Sequence, residues 1–390
     1  MSDEDFLLLD PGPVPVADDV REAAAEPMVS HRSPEFEAVY ERARDGLEYV
    51  FTTSTLDGEP TGAGTPLLLN GTATMAMEAA VANLVGAGGE VVALVNGRYG
   101  RRFARIAERY ASVTRIEVEW GESIPVADVA AAVTDATDVV TMVHSETSTG
   151  LLNPVAEVGA VAREHDATFV VDGATSVGGD AFKIDEWHVD VALTDAQMAL
   201  AAPPGLSAVF VTDRARARFD GEHAPFYEDL DRHLRAAENH RTPFSSAVSL
   251  FRALAVAVEA VEAEGMPERV RRHRTYASAF REAFESMGLE LFADPDGPTR
   301  YSNTVTAVSL PDAVSGDDAD AFFDGVAARN VSVADGQAHL GGRIFRVSNM
   351  GALDADDVRR GIEAVGEAMA DAGVDVDLPA ALVAAEERLD

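Results

Sequence analysis

Apolar runs of strand length alternate with segments of helical period from about residue 60 to about residue 265. Thr65–Leu69 reads as a strand that leads into Asn70–Ala73 and a helical stretch through Val85. Glu90–Val95 reads as a buried strand, Gly100–Tyr110 as a helix and Val113–Glu119 as the next strand. Helical period returns at Val126–Val133 and Ala156–His165, on either side of a strand at Val139–His144. Thr168–Asp172, Val189–Thr194 and Leu206–Val211 complete the strand set, the last after a break at Pro203-Pro204-Gly205. Continuous Val, Ala and Leu strands separated by helices predict a mostly parallel α/β sheet covered on both faces.

A long helical region follows over Pro243–Glu264, is interrupted at Gly265-Met266-Pro267, and resumes over Glu268–Met287. The break suggests a hinge into a smaller α/β or α+β domain. There the strands Thr304–Ser309 and Ile344–Val347 frame helices at Asp317–Ala328 and Asp354–Ala370. The expected organisation is an N-terminal segment (1–20), a large domain (21–265), a small C-terminal domain (266–375) and an acidic tail (376–390). The tail reads either as a short helix over Leu378–Leu389 or as a disordered end.

A chain of 390 residues, 47% of them hydrophobic, has enough material for two cores. Its net charge is −36, from 67 acidic against 31 basic residues, and Lys183 is its only lysine. Such a charge disfavours nucleic acid and anionic membrane surfaces as partners. Excess Asp and Glu with almost no Lys is the composition of a protein from a salt-loving, haloarchaeal-like source. The absence of cysteine removes disulfides, thiolate nucleophiles and cysteine metal sites, and no metal is expected. The acidic start MSDEDFLLLDPGPVPV does not read as a signal peptide, and no apolar run is long enough to span a bilayer, so the expected compartment is the cytoplasm.

Eight short motifs carry candidate chemistry. Asp10-Pro11-Gly12-Pro13, with Ser30-His31-Arg32-Ser33-Pro34-Glu35-Phe36 after it, is a turn that can bring backbone against a ligand. Asn70-Gly71-Thr72-Ala73-Thr74 stands between a strand and a helix, where free N–H groups and the positive helix end suit a phosphate; Thr72 and Thr74 add hydroxyls, or simply cap the helix. Asn96-Gly97-Arg98-Tyr99-Gly100-Arg101-Arg102 offers the ring of Tyr99 for stacking. His144-Ser145-Glu146-Thr147-Ser148-Thr149-Gly150 lies at the carboxyl end of a strand, where open α/β sheets bind ligands. In Val170-Val171-Asp172-Gly173-Ala174-Thr175-Ser176 a carboxylate ends a buried strand and needs a partner. The remaining three are Leu193-Thr194-Asp195-Ala196-Gln197-Met198-Ala199-Leu200, Arg241-Thr242-Pro243-Phe244-Ser245, and Arg343-Ile344-Phe345-Arg346-Val347-Ser348-Asn349-Met350-Gly351. In the last, the planar fork of Arg346 suits a carboxylate, from a ligand or from a surface acid.

In this order the motifs resemble class V aminotransferases of the alanine–glyoxylate/serine–pyruvate type, over a span from Asp10 to about Ala370. The resemblance implies the fold-type I architecture dependent on pyridoxal 5′-phosphate. It also implies a homodimer with shared active sites, and amino transfer between a small amino acid such as alanine or serine and glyoxylate or pyruvate. It places Gly12 against substrate, Gly71, Thr72, Ala73 and Thr74 on the cofactor phosphate, Tyr99 on the pyridine face and Thr147 beside the ring. Asp172 matches the aspartate that keeps the pyridine nitrogen protonated, and Thr242 and Ser245 match a segment that reaches the neighbouring subunit's phosphate. Arg346 matches the arginine that clamps the substrate carboxylate. Ala73 stands where Gly is common, and Arg241 where Tyr is frequent.

The family pattern Ser-Gln-Lys-Ala-Leu meets Ala196-Gln197-Met198-Ala199-Leu200. Gln197 matches, the serine is lost at Ala196, and Met198 replaces the Schiff-base lysine. A thioether offers neither a nucleophilic nitrogen nor a proton, so covalent anchoring and the proton shuttle disappear together. Lys183 is expected on the outer face or edge, away from the cofactor. His144 and His31 are the candidate substitute bases. Two readings follow: a severely impaired aminotransferase holding its cofactor without a covalent link, or a non-catalytic paralogue that binds ligand or a partner subunit. Cysteine desulfuration is disfavoured in a chain without cysteine.

Self-repulsion of the −36 charge is screened by salt. The thermal unfolding midpoint is therefore expected to rise by several degrees between about 0.1 M and about 1 M KCl, where the Debye length falls from about 10 to about 3 Å. A midpoint flat across that series contradicts the charge argument.

Overall fold

Strands that are apolar on both faces require cover on both faces, and such strands make up most of the seven that form the central sheet. In the computed structural model, which describes residues 6–219 and 224–389, they are β1 (Thr65–Asn70), β2 (Glu90–Val95), β3 (Ser112–Glu117), β4 (Val139–Val143), β5 (Thr168–Asp172), β6 (Val191–Asp195) and β7 (Leu206–Val211). Their order across the sheet is β1-β7-β6-β5-β4-β2-β3. β4, β5 and β6 are buried at every position, as is β7. β3 ends the sheet and alternates exposed with partly buried positions, as an edge strand does.

The sheet is mixed, mostly parallel, with one reversed strand. β7 pairs antiparallel with both β6 and β1, whereas β2–β3, β2–β4, β4–β5 and β5–β6 are parallel. The cause is the short link between β6 and β7. It holds one 3₁₀ turn, Met198–Leu200, and then Pro203-Pro204-Gly205, and without a crossover helix the next strand can only return alongside.

Helices α1 (Pro34–Thr53), α2 (Ala73–Leu84), α3 (Arg98–Ala107) and α4 (Val248–Glu264) pack on this sheet and on one another. α4 begins five residues later than the sequence suggests. Residues 242–247 are irregular because their polar groups are taken sideways: Asn70 donates to the Ser245 carbonyl (2.9 Å) and accepts from the Ala247 N–H (3.1 Å). Thr242 Oγ1 donates to the Phe244 carbonyl (3.0 Å). The expected break at Gly265 is present, with φ of 80°. Pro267 then sits in the first turn of α5 (Met266–Ser286), where its missing N–H removes no helical bond.

A second core gathers Phe280 and Phe284 of α5 with Phe322, Phe345, Val358 and Ile362. It lies against a three-stranded antiparallel sheet of β8 (Val305–Ser309), β9 (Ala334–Asp335) and β10 (Ile344–Ser348), in which β10 is central. The N-terminal segment joins this core: Leu7–Leu8 pairs in parallel with Val331–Ser332, and Leu9 is fully buried. Met1–Asp5 of that segment and Asp390 of the tail lie outside the described residues. Of the two readings of the tail, the helical one holds. After α6 (Ala355–Asp371), α7 (Leu378–Leu389) buries Ala381 and Ala385 and ties Glu386 to Arg359 (2.8 Å) and Arg388 to Glu282 (2.7 Å).

α1 and α4 approach closely at Gly46, where an added Cβ would stand 2.3 Å from Val258 Cγ2. Gly46→Ala is therefore expected to destabilise the fold by about 1–3 kcal/mol through overpacking, despite alanine's better helix propensity. A urea midpoint unchanged from the parent chain would show that the two helices move apart freely.

Candidate active site

The carboxyl ends of the parallel strands converge on one cavity of about 190 Å³. β1 delivers Thr72, Ala73 and Thr74, β2 delivers Tyr99 and Arg102, and β4 delivers Thr147. β5 delivers Asp172, Ala174 and Thr175, and β6 delivers Asp195 followed by Gln197 and Met198. This is the crevice at strand ends where open α/β sheets place their ligands. A larger cavity, about 540 Å³, lies beside it along the arginines of α3.

Asp172 is 4% exposed and ends β5, its Oδ1 accepting one N–H from Ala174 (2.9 Å). Burial pushes its carboxyl up to about 7, with the charges of Glu146 and Asp195 adding to the rise. Across the cavity, Tyr99 stands in the first turn of α3 with the Arg102 guanidinium 4.8 Å from its ring centre. That helix start is held by Glu146, a fully buried acid that accepts from the N–H groups of Tyr99 (3.1 Å) and Gly100 (3.0 Å) and from Ser148. Burial raises the Glu146 carboxyl despite these donors.

Met198 opens the 3₁₀ turn with φ of 62°. A non-glycine residue in the left-handed region costs about 1–2 kcal/mol, and such strain collects at functional positions. Its sulfur accepts from Thr175 Oγ1 (3.5 Å), and Thr175 also bonds Thr147 (2.6 Å). Gly12 faces the same side chain: a Cβ there would meet Met198 Cε at 3.2 Å and Gln197 Oε1 at 3.4 Å. The Pro-Gly-Pro turn thus closes over Met198.

Arg346 lies on β10 in the smaller sheet, 4% exposed. It donates to the carbonyls of Asp335 (2.6 and 3.1 Å) and Thr147 (3.2 Å), and forms no ion pair among the described residues. Burial lowers its pKa. A buried guanidinium satisfied only by carbonyls keeps its full charge uncompensated, the arrangement that suits an incoming carboxylate.

The class-V aminotransferase model matches residues 19–338 of the chain. The chain belongs to the class-V aminotransferase family. It is 35% identical to an uncharacterized aminotransferase of Methanocaldococcus jannaschii, over 98% of this chain and 97% of that one. Among solved structures it is similar to a pyridoxamine–pyruvate aminotransferase from Mesorhizobium loti, with TM-score 0.90 and 27% identity over 98% of this chain and 97% of that one. It is similar also to an alanine–glyoxylate aminotransferase from Nostoc, with TM-score 0.83 and 30% identity over 93% and 95%. The fold is the fold-type I architecture, and class V aminotransferases, with these close structural neighbours, depend on pyridoxal phosphate.

This class-V pocket fits that cofactor at one end only. Asp172, a buried acid lacking a cationic partner in direct contact, suits a pyridine N–H, and Tyr99 offers a ring face. At the opposite end there is no amine among the described residues. Lys183 is held by Glu186 (2.8 Å) outside the cavity. His144 and His31 do not line it either. His144 is buried among Phe182 and Trp187, bonds Ser176 (2.9 Å), and burial pushes its pKa down to about 3. At the third corner, the Ala73 N–H already donates to Asp195.

Of the other expected residues, Gly71 precedes the lining, and Thr242 and Ser245 do not reach this chain's own cavity. Asp195, Arg102, Thr175 and Glu146 were not singled out by the sequence. Asp195 carries the same signal as Asp172, an acid ending a buried strand. Arg102 and Thr175 stand inside quoted motifs but have no distinguishing pattern.

An acid whose pKa is raised on folding binds protons that the unfolded chain has released. Stability therefore falls as pH rises from about 4 to about 7. Asp172→Asn is expected to recover about 1–4 kcal/mol of that loss at pH 8. The check is urea unfolding at pH 5 and pH 8 in constant salt. An equal drop in both proteins contradicts an ionised, unpaired Asp172.

Proposed function

We propose that this chain is a class V pocket that binds a pyridine ligand and the carboxylate of a small amino or 2-oxo acid, with amino transfer severely impaired. In this reading Asp172 holds the ring nitrogen and Tyr99 the ring face, with Thr147 at the ring edge. Arg346 clamps the α-carboxylate, and Gly12 closes the substrate side. The substrates proposed are alanine or serine with glyoxylate or pyruvate, in keeping with relatives named serine–glyoxylate and L-aspartate–glyoxylate aminotransferases. A homodimer in a salt-rich cytoplasm completes the proposal, with Thr242 and Ser245 of each protomer serving the other's pocket.

Pyridoxal phosphate, when bound, supplies a carbonyl for amine exchange and an electron sink. What the chain has to add is an amine and a proton carrier at residue 198, and Met198 is neither. The buried thioether in a left-handed turn is the observation that carries the impairment, because no amine among the described residues lines the cavity. The retained Asp172 and Arg346 favour a second reading, a ligand-binding paralogue without turnover.

Met198→Lys separates the two. The parent chain is expected to show no borohydride-fixed pyridoxyl label and at least about 10²–10⁴-fold less alanine–glyoxylate transfer than Met198→Lys, the range of a lost general acid–base group. Turnover in the parent equal to that of Met198→Lys would sink the impairment. Ligand binding without activity in both proteins would favour the paralogue.

A further inference from the structure

The first N–H groups of a helix have no partner within it, and together with the helix dipole they make an anion site. At the start of α2 this site faces the cavity, and Thr72 at the cap position makes no side-chain bond to it. The chain fills the site itself. Asp195 reaches from the end of β6 and accepts the Ala73 N–H on Oδ2 (2.8 Å) and the Gln197 N–H on Oδ1 (3.2 Å). Its side chain is 2% exposed, yet it lines the cavity. Nearby, Thr74 Oγ1 accepts from Arg102 (2.8 Å), so the one arginine that lines the cavity among the described residues is already engaged there.

A phosphate dianion placed against this helix start would compete with Asp195 for the Ala73 N–H. It would also set two like charges together in a poorly hydrated corner, where repulsion is strongest. A hydroxyl in the same place does the opposite. Its O–H donates to the Asp195 carboxylate, a charge-assisted bond, and leaves the Ala73 contact intact. Asp172 at the ring end and Asp195 at the arm end then both accept hydrogen bonds from the ligand.

We propose that Asp195 makes this pocket select a pyridine ligand whose side arm ends in a neutral hydroxyl over the same ligand carrying a phosphate ester. The inference rests on the reading of the pocket as a pyridine site, and deepens it by naming the ligand class. Asp195 is the specificity-determining residue, acting on the arm of the ligand and not on the reacting carbon.

The test is equilibrium dialysis of the full chain against pyridoxamine and against pyridoxamine 5′-phosphate, at one fixed high salt concentration, repeated for Asp195→Asn and Asp172→Asn. The parent is expected to bind pyridoxamine at least tenfold more tightly than its phosphate. Asp195→Asn, which keeps an acceptor for Ala73 and removes the charge, is expected to shift that ratio at least tenfold toward the phosphate. Tighter binding of the phosphate by the parent overturns the proposal, as does a ratio unmoved by Asp195→Asn. If both ligands bind and Asp172→Asn weakens both, the pyridine reading stands whatever the ratio. If neither binds, that reading falls and this proposal with it. The parent's ratio needs no variant, so an Asp195→Asn chain that does not fold leaves the test in force.

Discussion

Burying a carboxylate without a cation beside it is the constraint around which this molecule is arranged. Asp172 and Asp195 end neighbouring strands, β5 and β6, and both point into one crevice. Glu146 lies behind them, spent on the start of α3. Each acid is expensive to ionise where it stands, and burial raises all three. The sheet makes this concentration possible, since parallel strands bring their carboxyl ends to one edge. The single reversed strand, β7, follows from the short turn that places Gln197 and Met198 at the same edge. Architecture and chemistry are therefore one fact: the link too short for a helix is also the floor of the pocket.

Much of this was legible in the chain itself. The alternation of buried strands with helices specified the sheet and its cover, and the order of motifs specified the family. Asp172 was legible because an acid closing an apolar run such as Thr168–Val171 is costly to bury unless something polar meets it there. The direction of β7 was not, because an apolar run carries no arrow; direction came from the length of the preceding link. The onset of α4 was misplaced because Pro243 and Phe244 extend an apolar pattern, whereas Asn70, far away in sequence, claims the backbone there. The bond between Arg346 and the Thr147 carbonyl spans 199 positions, and no local pattern encodes it. Asp195 was overlooked although its signal equals that of Asp172, since the family pattern gives weight to the three residues after it.

Two residues that set the electrostatics of this site are neighbours in the chain, and their physical effects run in the same direction. Met198 offers no amine, and Asp195 places a carboxylate three residues before it. Both are well accommodated: Met198 fills apolar space beside Val14, Ala174 and Met350, and Asp195 completes the hydrogen bonds of two backbone N–H groups. A pocket decaying without constraint would be expected to collect cavities and unpaired groups. This one keeps its walls packed around two buried acids.

Lys183 sits apart, clasped to Glu186 outside the crevice. With no primary amine among the described residues lining that crevice, an aldehyde bound as proposed between Tyr99 and Asp172 would remain a guest. Its residence time would be set by reversible contacts alone, and it would leave with the carbonyl it brought. Such a cavity would act as an exchange vessel, loading and unloading at the pace of diffusion and closure, where a lysine would make it a trap.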